Sequence, residues 1–363
     1  MSDSARPSYA LFTPSALPRL AVIGVALLVV AAAFAWTAGW FSDRLDPDGM
    51  IDTFEAVNGP HEGFRRNHAK GVCLAGWFES NGRGARLSTA EVFKPGRVPV
   101  FGRFSLAGGM PAMPDGPDSV RSMALNFTLP DGEMWRTGMI VLPVFPFRDA
   151  QALYEQMLAA KPAANGKPDP AKIAAFFAAH PEAAKAISVI KTVPFSSGFA
   201  NAPYNGLNAF RFIAADGKAT AVRWSMRPVD AFEPEPAETP KDKNYLFDDL
   251  ARRLAKGPAQ WHLILTLGEA GDVTNDATVV WPADRETVDA GTLSIESLSA
   301  EADGNCRDIN FDPLVLPAGI EPSDDPLLSA RSSAYSESFT RRAGEPKTPS
   351  AVQTGAVQPG KGN

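Results

Sequence analysis

His68 stands in the run RRNHAKG (residues 65–71) and is one of only four histidines in a chain of 363 residues. Histidine titrates near neutral pH and is the side chain best suited to moving a proton, although an isolated one is more often structural. Far downstream, Arg331 and Tyr335 in RSSAY are spaced i, i+4, so on a helix they share a face. A guanidinium against a phenol stabilises the phenolate, and a phenolate is a hard anionic ligand suited to ferric iron. Alone, such a pair is ordinarily a solvated helix face. Cys73 and Cys306 are the only cysteines, too few for a disulfide framework or a zinc site. One bridge between them is possible, but two buried small side chains is the plainer reading. With so few histidines a multi-histidine metal site is disfavoured, and a metal would arrive inside a cofactor.

Composition narrows the classes further. A formal net charge of -6 argues against a nucleic-acid partner, which needs clustered Lys and Arg. The sequence has no P-loop, no GxGxxG and no CxxCH, so nucleotide chemistry is disfavoured and covalent c-type haem attachment is excluded.

The elements that must position these residues begin after an apolar segment. Leu20 to Trp40 carries no charge and is about long enough to cross a bilayer. Arg6 and Arg19 precede it, while Asp43, Arg44, Asp46 and Asp48 follow. The positive-inside bias predicts a cytoplasmic segment 1–17, a transmembrane anchor 18–40 and a linker 41–50, with the rest in the periplasm. A cleaved signal peptide is the alternative reading of the same residues. Strands are predicted at 97–108, 122–130, 138–147, 207–215, 219–228 and 260–268, where β-branched and aromatic residues alternate between Gly, Pro and Asp. Ala-, Leu- and Glu-rich stretches at 148–161 and 169–191 read as helices. The class is α+β, an antiparallel β-barrel or sheet with helical insertions after one transmembrane helix. Residues 51–345 form the domain, and 346–363, rich in Pro and Gly, read as a disordered tail.

Three motifs in order, RRNHAKG, VFGRFSLAGG and FDPLVLPAGIEPSDDPLLSARSSAYSESFTRRAG, resemble the haem-dependent catalase family, most closely its short branch, the catalase-related peroxidases. The resemblance spans residues 51 to 345 and implies a catalase-like barrel holding non-covalent haem b. Tyr335 is then the iron's proximal ligand, supported by Arg331. His68 becomes the distal acid–base group, with Ser105 bonding its imidazole and fixing the tautomer. Arg65, Arg103 and Arg342 match propionate-binding arginines, and Phe145 an aromatic of the distal pocket. His61, His180 and His262 fall on no family motif and read as structural.

Departures from the family bear on the reaction. The distal asparagine of true catalases is replaced within GMIVLP, where Ile140 stands between Met139 and Val141. The histidine that usually supports the proximal arginine aligns with Ser225. Asn67 replaces a common valine, and no long C-terminal domain follows. The resemblance therefore implies a peroxidase that reduces hydrogen peroxide and organic hydroperoxides through a ferryl intermediate, using a small reducing co-substrate, with weak catalase activity at most. A fatty-acid hydroperoxide-rearranging enzyme and a non-catalytic haem-binding protein are the competing readings. The sequence does not specify the oligomeric state.

Overall fold

The computed structural model describes residues 17–37, 45–163, 166–236, 238, 240–304 and 306–353. The chain divides into two units, Met1–Asp46 and Pro47–Asn363. In the first, helix α1 (Leu17–Thr37) is 21 residues long and apolar enough to cross a membrane. It starts one residue before the expected anchor, while residues 38–40 and the expected cytoplasmic segment before Leu17 lie outside the described residues.

The second unit opens with α2 (Pro47–Asn58), so part of the expected linker is helical. Strands β1 (Gly71–Ser80), β2 (Gly96–Leu106), β3 (Arg121–Thr128) and β4 (Met134–Ile140) follow as an antiparallel meander. A helical insertion, α3 (Ala150–Ala160), α4 (Pro170–Ala179) and α5 (Pro181–Ile190), interrupts the sheet. Where the sequence predicts one helix over 169–191, the chain bends by 103° between α4 and α5. Pro181 lacks an N–H and bars its predecessor from the helical region, which breaks the run at His180. Then come β5 (Tyr204–Asn205), β6 (Phe210–Ile213), β7 (Ala219–Pro228), α6 (Tyr245–Leu254), β8 (Ala259–Leu267), β9 (Thr287–Ser299), β10 (Ile320–Pro322) and α7 (Pro326–Ala343).

The order β7-β5-β4-β3-β2-β1-β9-β8 closes on itself through β7–β8 pairing, an eight-strand antiparallel barrel, with β6 and β10 continuing from β7. Closure leaves no barrel edge to template aggregation. Alternate residues point inward: Phe104, Met123, Met139, Tyr204, Trp224, Trp261 and Trp135 fill the interior. Trp135 stacks on Phe127 at 4.8 Å and meets Trp224 edge-on at 5.0 Å. The opposite face carries a register row, Gly71, Ser105, Ser122, Ile140, Asn205 and Ser225, across six neighbouring strands. Directly paired residues share a face, so this row marks the outer wall against which the site is built.

Residues 346–353 are packed, unlike the disordered tail expected there. Val352 is 1% exposed within the core, and Ser350 Oγ accepts from Ala302 N at 2.6 Å. The single Val supplies the apolar anchor that the surrounding Pro- and Gly-rich composition hides. Residues 354–363 lie outside the described residues.

Candidate active site

His68 lies in the loop ahead of β1 with φ +57°, the left-handed region that non-glycine residues avoid. Three bonds hold it there. Asn67 Oδ1 accepts from His68 N at 2.9 Å and from Gly108 N at 2.8 Å, and Arg103 Nη1 donates to the His68 carbonyl at 2.6 Å. Asn67, which departs from the family pattern, is therefore a brace for the turn. Two residues on, Lys70 is fully buried and donates to Asp115 Oδ1 at 2.6 Å and to the Met113 and Lys243 carbonyls. That buried pair ties the motif to two distant loops.

The imidazole partner differs from the expected one. Ser122 Oγ, on β3, lies 2.8 Å from His68 Nδ1, while Ser105 Oγ stands one step behind, 2.8 Å from Ser122. The two serines are register partners, and an extra hydroxyl on β3 interposes itself. His68 keeps part of its own surface open. Desolvation by the surrounding protein, then the charges of Arg103, Arg331 and Arg65, lower its pKa to about 3. It is neutral across the physiological range.

Around it gather the arginines. Arg103 is 2% exposed and grips Glu301 through Nε at 2.7 Å and Nη2 at 3.2 Å, with a further bond to the Ala69 carbonyl. Its donors are largely committed to Glu301 and the His68 turn, so it serves the site more as a clamp than as the free carboxylate fork the sequence predicts. Arg65 Nη2 donates to the carbonyls of Cys306 (3.0 Å) and Ile309 (2.9 Å) and lies over Phe311. Arg342 is 6% exposed and reaches the Ser338 and Arg307 carbonyls, both at 3.4 Å. Burial first, then neighbouring positive charge, drives Arg65 well below the usual guanidinium range and Arg342 down to about 10. Burial opposes ionisation of Glu301, yet Arg103, Arg65 and Arg307 hold its carboxyl below the ordinary value.

Arg331 and Tyr335 rise from α7 one turn apart, with Arg331 Nη2 3.4 Å from the phenol oxygen. Asp325 caps that helix through Oδ1 to Leu327 N at 2.9 Å. Its other oxygen accepts from Asn208 Nδ2 at 2.8 Å, and Asn208 Oδ1 accepts from Arg331 Nη1 at 2.6 Å. Asn208 thus stands where the sequence places Ser225, which instead sits opposite Asn205 and Ile264 in the sheet. The residue before it, Leu207, is the other left-handed non-glycine (φ +61°) among the described residues. Gly138 forms the adjoining wall: a Cβ there would lie 3.2 Å from Arg331 Nη2 and 3.8 Å from the Tyr335 oxygen. A methyl group there would crowd the Arg331 guanidinium, so glycine suits the close approach of α7 to the barrel.

Phe145 goes with the helical insertion, edge-on to Phe147 at 5.8 Å in a small core with Phe176. Cys73 and Cys306 form a disulfide with Cα atoms 5.3 Å apart, packed with Phe311. The plainer reading of two thiols is thereby corrected: sequence separation hid the proximity of β1 to residue 306.

Taken together, Arg65, Arg103 and Arg342 face one buried carboxylate, beside a phenol and a neutral imidazole. That excess of buried positive charge suits a ligand carrying two carboxylates, as haem does in its propionates. Among the described residues no group of three or more His, Cys, Asp and Glu could cage a bare metal ion. The residues present fit haem.

A model of the catalase family matches residues 51–350. The chain is 35% identical over 329 residues to a catalase-related peroxidase of Synechococcus elongatus, covering 89% of this chain and 96% of that protein. It is 33% identical to one of Mycolicibacterium paratuberculosis, covering 84% and 96%. Rat catalase is 28% identical, and the alignment covers 76% of this chain and 56% of that protein. A bacterial catalase structure superposes with a TM-score of 0.68 at 23% identity, covering 83% of this chain and 62% of that one.

Proposed function

Because the chain belongs to the catalase family and is an oxidoreductase acting on peroxide, we propose a membrane-anchored haem b peroxidase that reduces hydrogen peroxide and organic hydroperoxides with a small reducing co-substrate. Bound haem supplies the iron at which peroxide is cleaved and which takes up the oxidising equivalents. Tyr335 is its ligand, held by Arg331. Arg65 and Arg342 bind the propionates, with Arg103 adding charge and fixing the His68 turn. His68 takes the proton from one peroxide oxygen and returns it to the other, so the leaving group departs as water, or as an alcohol from an organic hydroperoxide. Ile140, directly opposite Ser122, presents an alkyl group where catalases place an amide. That favours an alkyl peroxide over a second hydrogen peroxide, leaving weak catalase activity at most.

The reading rests chiefly on one observation: a histidine held neutral in a strained turn beside a buried arginine cluster. Helix α1 and the disulfide support a periplasmic catalytic domain, since disulfides persist in oxidising compartments. Replacing His68 with Ala is the test. Haem should stay bound while peroxide turnover falls by roughly 10²–10⁴-fold, the usual contribution of general acid–base catalysis. Unchanged turnover with haem retained sinks the proposal.

A further inference from the structure

The loop that follows β9 supplies the acceptors for two of the buried arginines. Arg65 Nη2 donates to the carbonyls of Cys306 (3.0 Å), Ile309 (2.9 Å) and, more loosely, Arg307 (3.5 Å). Arg342 Nη2 donates to that same Arg307 carbonyl at 3.4 Å. Arg342 and Arg103 repel Arg65, while the Glu301 carboxylate is gripped by Arg103. Like charges stay together in a buried site only while fixed acceptors hold them. Cys306 is where those acceptors are moored. Its carbonyl accepts from Arg65, its N–H donates to Cys73 Sγ at 3.2 Å, and its own sulfur is bonded to Cys73. Cys73 stands opposite Arg103 in the β1–β2 register, so the bridge ties the loop to the strand pair that carries Arg103. Other ties lie to either side of residue 306 and are non-covalent. Among them are Ala302 N to Ser350 Oγ, Arg307 Nη2 to the Thr348 carbonyl, and Arg136 Nη1 to the Asn310 carbonyl.

We propose that the Cys73–Cys306 bridge is an assembly latch: its closure sets Arg65 and Arg342 in the geometry that captures the two carboxylates of haem, so tight cofactor capture waits on thiol oxidation. In that step the two thiols give up two protons and two electrons to a disulfide-bearing oxidant, which leaves as a dithiol. Cys73 and Cys306 are 1% and 0% exposed, so the closed bridge is shielded from thiol reductants and acts once, during maturation. The reduced chain keeps its barrel and its Arg103–Glu301 pair, but its loop samples more conformations. Re-ordering that loop then costs part of the free energy of ligand binding. The inference deepens the haem reading and rests on it, whereas the fixing of the loop is a property of the protein alone and is read without cofactor.

The test compares the full-length chain in detergent with the double variant Cys73→Ala, Cys306→Ala, and with wild type produced and kept under dithiothreitol. Hydrogen-exchange mass spectrometry on the haem-free proteins reads the loop after β9 and the barrel strands separately. In both bridge-free forms the loop should exchange roughly tenfold faster or more, with β2, β3 and β4 as protected as in the oxidised protein. Hemin titration, followed by absorbance, should show binding weakened about tenfold, the effect of one lost hydrogen bond to a charged group. Iron etioporphyrin, which lacks the carboxylates, should bind all three forms equally. Unchanged hemin affinity overturns the latch, as does an equal loss with etioporphyrin. Loss of barrel protection in the bridge-free forms also overturns it, the bridge then being a staple of the whole fold. Failure of every form to bind hemin overturns the haem reading, and loop exchange alone then decides whether the bridge fixes the arginine acceptors.

Discussion

Asn208 links Arg331 to Asp325, and replacing it with Leu removes both bonds at nearly constant volume. The side chain is 2% exposed and Asp325 is 3% exposed, so water cannot substitute. A hydrogen bond to a charged group contributes about 1.5–3 kcal/mol. Arg331 keeps its bonds to the Gly138 carbonyl and Tyr335, and Asp325 keeps its cap on Leu327, which places the loss near the lower bound. We expect Asn208→Leu to destabilise the protein by about 3 kcal/mol, with no cavity contribution. The loss should also depend on pH. Burial raises the Asp325 carboxyl above its ordinary value, against the pull of the Asn208 bond. A raised folded-state value means stability is gained on acidification and lost as pH rises through it, and removing Asn208 raises it further. The variant's deficit should therefore be larger at pH 7.5 than at pH 5. Urea unfolding, followed by circular dichroism at both pH values, measures it through the midpoint at constant slope. A deficit below about 0.5 kcal/mol, the range of an ordinary surface change, or one independent of pH, would refute the Asn208 bridge.

Two further outcomes follow from the same geometry. Glu301→Gln leaves Arg103 buried beside Arg65 and Arg342 without its counter-charge; the haem-free protein should lose about 3–5 kcal/mol, with part recovered on haem binding, read as the difference in melting temperature between the two forms. His180, when protonated, donates to both Glu155 (2.8 Å) and Glu182 (3.0 Å), and the Glu155 bond foremost raises its pKa. The stability it confers is present below about pH 6.5 and lost as pH rises through the raised value, so His180→Gln should destabilise more at pH 5.5 than at pH 9 in thermal scans.

His68 and Tyr335 could be singled out because each lies in a short contiguous motif. The strands with strong alternation, such as β7, were legible for a similar local reason. β1 and β9 were not, because GVCLAGWFES and TVDAGTLSIESLS dilute their apolar residues with Gly, Ser and acidic side chains. Both draw their stability from neighbours on either side, which local pattern does not record. Ser122 and Asn208 escaped for another reason: each is an unremarkable polar residue whose partner lies 54 or 123 positions away in sequence. The acidic partner of Arg103, Glu301, is 198 positions distant. Polar residues that support a site are chosen by tertiary proximity, and a single sequence carries no trace of that proximity.

The disulfide joins residues 233 positions apart, and the charged cluster beside it draws Arg65 and Arg103 from one end of the chain and Glu301 and Arg342 from the other. A nascent chain halted anywhere before Glu301 can neither close that bridge nor supply the counter-charge of Arg103. Completion of this cluster must therefore follow synthesis of almost the whole polypeptide. A stalled or clipped product holds its early arginines without their carboxylate and never assembles the cluster.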